Sequence, residues 1–189
     1  MQPQEWQPWG KLKRQENGSI RIHPLLDHLT DVAAVLSVLL TLPAVARALT
    51  QAAGRPLVSS DHARLAALAY LHDIGKANTG FQSRYWLQAE RPACWTAPAC
   101  GHGPQGWALF AGVLQSAERV TAGLPLQQMD NWGEATAALL LASISHHGRP
   151  VTAVASESIW KPVHNGGHVI YDPTEAVAAM GQRIQAQYP

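Results

Sequence analysis

Apolar residues recur at helical spacing in five stretches of the chain, separated by polar segments rich in glycine and proline. The first runs from Leu25 to about Thr50, where Pro43 predicts a kink or break. After a loop from Gly54 to Ser60, capped by Ser59 or Ser60, Leu65, Leu68, Ala69 and Leu71 mark one buried face of a helix that ends at "HDIGK". Residues 91–106 form a loop. Pro104 opens a third helix carrying Trp107, Leu109, Phe110, Val113 and Leu114. A fourth spans about Glu134 to Ser145 and stops at "HHG". The last covers 173–188, opened by "DPTE", with Asp172 as N-cap, Pro173 at N1 and Glu175 at N3. Residues 1–24 read as irregular, and no strand signal is stronger than the short pieces near Ile20 or Val169. The expected fold class is all-α, a compact bundle without internal repeats.

Composition narrows the class. The 189 residues suit one domain. Hydrophobic residues make up 47% and charged ones 14%, against a usual charged share of ~25%. A net charge of +1 means that any contact with phosphate must come from a local patch or from bound cations. The start, "MQPQEWQPWGKLKRQ", has no apolar secretory core, and the run Val32 to Leu42 is too short to span a bilayer. A soluble, cytoplasmic protein without a membrane partner is expected. Cys94 and Cys100 do not form a disulfide framework. With His102 they could surround zinc, although structural zinc ligands usually lie closer together in sequence.

The histidines change the picture most. Of nine, His28 lies early in the first helix, His72 and Asp73 close the second, His102 precedes the third, and His146 and His147 end the fourth. Taken singly, each is more often a surface or capping residue than a ligand. As an ordered set they could bring five imidazoles and one carboxylate together. Such donors suit Mn, Fe, Co, Ni or Zn, whereas an all-oxygen site would suggest Mg or Ca; Mg stays open as the ion. An aspartate between two sets of imidazoles could bridge ions ~3.5–4 Å apart, the geometry of two-metal phosphodiester cleavage. His23 and His62 read as structural. Lys11, Lys13, Arg14 and Arg21 form either a modest electrostatic track or a solvated basic loop.

The stretches "WGK" (9–11), "HLTDVAAV" (28–35), "HDIGKANTGFQ" (72–82), "GHG" (101–103) and "SHHGRP" (145–150) resemble the HD superfamily of metal-dependent phosphohydrolases. More narrowly, they are similar to the HD nuclease domain of the CRISPR-associated helicase–nuclease of type I systems. The resemblance implies a helical HD domain that cuts single-stranded DNA endonucleolytically with one or two divalent transition-metal ions. Its partners would be a helicase region or subunit and an RNA-guided surveillance complex. By motif, His28, His72 and Asp73 would hold one ion, and Asp73, His102, His146 and His147 the other. Asp73 would bridge them, and Lys76 would lie near the reacting phosphate, so Asp73 and Lys76 are the expected catalytic residues.

One departure stands out. The family completes its site with an aspartate from a later helix, whereas the only later aspartate here is Asp172, already read as a cap. A single HD domain over 1–189, lacking its C-terminal helices and a downstream helicase, is therefore expected. Two alternatives stay open: a nucleotide or cyclic-nucleotide phosphohydrolase of the same superfamily, and a metal-depleted interaction module.

Overall fold

The computed structural model describes residues 6–130 and 134–188. It is mostly helical, with nine α-helices and two small antiparallel ribbons among these residues. In chain order the elements are β1 (Trp9–Arg14), β2 (Ile20–Pro24), α1 (Leu25–Leu40), α2 (Pro43–Ala53) and α3 (Ser59–Tyr70). Then come a 3₁₀ segment (Leu71–Ala77), α4 (Thr79–Gln82), α5 (Gly103–Ala108), α6 (Ala117–Thr121) and α7 (Leu126–Met129). Last are α8 (Glu134–Ile144), β3 (Val163–Asn165), β4 (His168–Tyr171) and α9 (Pro173–Gln187).

The helical periodicity does what it predicts. Leu25, His28, Leu29 and Ala33 put one face of α1 against the core, and Val177, Met180, Gly181 and Ile184 do so for α9. Between them lies the 3₁₀ segment, whose Leu71, Ile74 and Ala77 are fully buried. Pro43 breaks the first apolar run as expected, and α2 leaves α1 at 87° with no buried residue of its own. Asp172 caps α9, its carboxylate accepting from Thr174 N–H at 2.7 Å.

Three sequence expectations are corrected. Residues 9–24, expected to be irregular, form the β1–β2 ribbon, because alternating side chains from Lys11 to Arg14 pair with Ile20 to His23 across a turn at Asn17–Gly18, while residues 1–5 lie outside the described residues. The third helix stops at Ala108, and Leu109 to Leu114 follow in turns. Ser59 and Ser60 do not cap α3. The Asp61 carboxylate instead reaches back to Val58 N–H at 2.9 Å and is held by Arg55 at 2.6 and 3.0 Å. Among the described residues no single helix is long and apolar enough to cross a membrane.

Candidate metal centre

The HD pair lies just past the end of α3, where the backbone tightens from α to 3₁₀ and Asp73 departs from helical geometry (φ −113°, ψ 21°). That break turns the Asp73 carboxylate inward, where its residue is only 2% exposed. Oδ2 meets His28 Nε2 at 2.9 Å, His72 Nε2 at 3.0 Å and Lys76 Nζ at 2.6 Å. Oδ1 faces His102 Nε2 at 3.0 Å and His146 Nε2 at 3.6 Å. His147 completes the set, its Nε2 3.1 Å from His102 Nε2. All six expected ligands thus converge, in two groups of three that could each hold an ion: His28, His72, Asp73 and His102, His146, His147. Lys76 is buried with the carboxylate, and its ammonium also donates to the Gly10 carbonyl at 2.9 Å. Asp172 is engaged in its cap, and neither His62 nor the two cysteines enter either group.

The donor set fits a divalent cation on two grounds. His72 Nδ1 lies 2.7 Å from the Ala69 carbonyl and His146 Nδ1 3.1 Å from the Ser143 carbonyl. A carbonyl can only accept, so each Nδ1 carries its proton and each neutral ring presents a bare Nε2 lone pair. Those lone pairs point at Asp73, acceptor against acceptor, which is unfavourable unless a proton or a cation lies between. This backbone anchoring of the far ring nitrogen is how metal-binding histidines are usually oriented. The second ground is Asp73 Oδ1. Although His102 Nε2 is 3.0 Å away and also 3.1 Å from His147 Nε2, among the described residues Oδ1 is buried without a hydrogen bond. A buried carboxylate oxygen left so is costly, and a cation there removes the cost.

The electrostatics agree. Burial alone would push the Asp73 pKa up, but a proton on the facing Nε2 atoms of His102, His28 and His72 holds it well below the usual carboxylate range, the part a cation takes where those nitrogens are bare. Burial also lowers the His146 pKa, with Asp73 working in the opposite direction. Both shifts keep the groups in the protonation states a metal requires.

The rest of the "HDIGKANTGFQ" stretch holds this arrangement together. Gly75 packs against the loop that presents His102: a Cβ there would stand 1.9 Å from the His102 carbonyl oxygen. Gly10 lets β1 pass over α1, since a Cβ would stand 2.7 Å from His28 Cβ. The Asn78 amide donates to the Gly75 and Gly101 carbonyls at 2.6 and 3.0 Å, tying the two ligand-bearing loops together. Gln82, fully buried, accepts from Trp9 N–H at 3.0 Å and donates to the Trp9 and Lys76 carbonyls at 3.1 and 2.7 Å. In the sequence Gly75 reads as a helix stop, while Gly10, Asn78 and Gln82 have no assigned role. A polar side chain inside an apolar run was the available signal.

The sequence model of the family described as Cas3, HD domain matches residues 9–188. The chain belongs to that family. It is accordingly an HD-type metal-dependent hydrolase of the CRISPR-associated kind, and its motif residues are those that converge on Asp73. No curated protein and no solved structure matches the chain.

Proposed function

We propose that this domain is a metal-dependent endonuclease for single-stranded DNA, acting in type I CRISPR interference with a helicase and an RNA-guided complex. The observation that carries the reading is the pair of half-sites sharing one buried carboxylate, each offering imidazole lone pairs fixed by backbone carbonyls. His102, His146 and His147 with Asp73 Oδ1 would hold one ion, and His28, His72 and Asp73 Oδ2 the other. Divalent ions so held supply Lewis acidity toward a phosphodiester and a lowered pKa for water. The nitrogen-rich donor set favours Mn, Fe, Co or Ni.

The chain's own residues do the positioning. Lys76 pins Oδ2, so the carboxylate cannot rotate and Oδ1 stays aimed at the three outer imidazoles. His146 and His147 are exposed and form the accessible rim, while His28 and His72 are buried beneath. The solvent-accessible edge of the centre is therefore the side of the His146–His147 turn. The test is cleavage of circular single-stranded DNA with added Mn, Co or Ni, beside hydrolysis of mononucleotides and cyclic nucleotides. Nicking of the circle that Asp73→Ala abolishes and His62→Ala retains supports the reading. Turnover of the nucleotides alone overturns it in favour of a phosphohydrolase.

A further inference from the structure

The β1–β2 ribbon carries a charge pattern that works against its own stability. Lys11 stands opposite His23 and Lys13 opposite Arg21 in antiparallel register, so these four side chains share one face of the ribbon. Lys11, Lys13 and Arg21 are exposed. Two cations directly opposite one another destabilise a strand pair. Residues 9–24 hold four of the chain's 14 lysines and arginines but one of its 13 acids. Positive charge is thus gathered on this ribbon while the whole chain stands at +1.

The same face begins at the metal centre. The His23 ring lies 6.1 Å from that of His28, and the Gly10 carbonyl of β1 receives Lys76. Residues two apart along a strand advance by ~7 Å, so the Lys11–His23 rung adjoins the centre and the Lys13–Arg21 rung lies one step farther out. Neighbouring groups offset only the His23 member of the inner rung. Asp31 is paired with His23 at 2.9 Å, Glu16 lies in the ribbon's turn, and Arg14, on the opposite face, donates to the Tyr85 carbonyl. Successive cationic rungs in line, leading to a site for phosphodiester chemistry, match one extended chain of phosphates.

We infer that this ribbon face is the track on which the backbone of a single-stranded DNA substrate lies as it enters the centre. The inference rests on the nuclease reading above and adds where the strand runs. The test compares the wild-type domain with the Lys11→Gln/Lys13→Gln/Arg21→Gln variant. Binding of a labelled oligothymidine is followed by fluorescence anisotropy in chelator across a salt series. Each phosphate contact adds ~0.7 to the slope of log affinity against log salt for a single strand, so losing three should flatten the slope by about 2. Affinity at low salt should fall about tenfold or more. Thermal melting and Mn content should match the wild type. Arg47→Gln, on α2 beyond the far end of α1, should leave binding unchanged. Wild-type affinity and slope in the triple variant, with the strand still bound, would overturn the track and leave the nuclease reading standing. A metal-loaded wild type that neither binds nor cuts single strands would overturn both.

Discussion

His102 Nε2 and His147 Nε2 face each other at 3.1 Å, although one comes from the loop before α5 and the other from the turn after α8. Two such nitrogens meet either over a shared proton or over a cation. Melting curves with and without metal distinguish them. At a Mn or Ni concentration a hundredfold above Kd, linkage gives about 2.7 kcal/mol of added stability. For a chain of this size that is a rise in Tm of about 5–10 °C. His147→Ala should remove most of the rise while changing the metal-free Tm little, because His147 is exposed.

Gly75→Ala tests whether the two ligand-bearing loops must touch. A Cβ at that position meets the His102 backbone, which is main chain and cannot swing aside. The expected cost is about 1–3 kcal/mol from overpacking. Displacement of His102 should weaken the half-site of His102, His146 and His147 before that of His28 and His72. Denaturant unfolding and Mn titration on one preparation measure both effects. Equal loss at the two half-sites would mean that the strain spreads through the whole 3₁₀ segment.

Lys76→Met leaves the Asp73 carboxylate buried with one cation fewer. Removing one partner of a buried pair typically costs 3–5 kcal/mol, and roughly the lower end applies here because imidazoles remain. Added metal should recover part of the loss, so the rise in Tm on metal binding should exceed that of the wild type. Unchanged stability without metal would show that Lys76 does not hold the carboxylate.

Much of this was legible in the sequence, and the exceptions have physical causes. The six candidate ligands, which converge, and the Asp172 cap follow from helix-end patterns, which are local. The β1–β2 ribbon was missed because its ordering depends on partners far along the chain: Gln82 binds the Trp9 backbone, and Lys76 binds the Gly10 carbonyl. Gly75 reads locally as a helix stop, yet α3 has already ended at Tyr70, and its role is close approach to His102. Gly148, by contrast, closes the turn after α8 with φ +82°, as a terminating glycine does. Phe110 and Leu114 keep apolar spacing, but Gly112, at φ +69°, lies in turns rather than in a longer α5.

Acidity should weaken the centre. The His146 pKa is lowered from the usual 6.5, chiefly by burial, so the folded chain keeps this ring neutral to lower pH than the unfolded chain does. Its contribution to stability is complete above 6.5 and is lost as pH falls through the lowered folded value. Mn affinity, which needs a neutral imidazole at His146, should fall as pH drops through the lowered folded value of that ring. Asp73, held well below the carboxylate range, should remain ionised throughout. Calorimetric titration in a pH series measures the curve, and an affinity that rises with acidity would contradict it.

Asp73 stands between two groups of imidazoles that should hold metal unequally. Oδ2 is already met by His28, His72 and Lys76, whereas Oδ1 has no hydrogen-bond donor and faces the outer imidazoles. The outer position should therefore fill first. Anomalous scattering from crystals grown with Mn is the most direct measurement. The account predicts a strong peak among Asp73 Oδ1, His102, His146 and His147, and a weaker or missing one between Oδ2, His28 and His72. A single strong peak on the His28–His72 side, or metal only at sites away from Asp73, would contradict it.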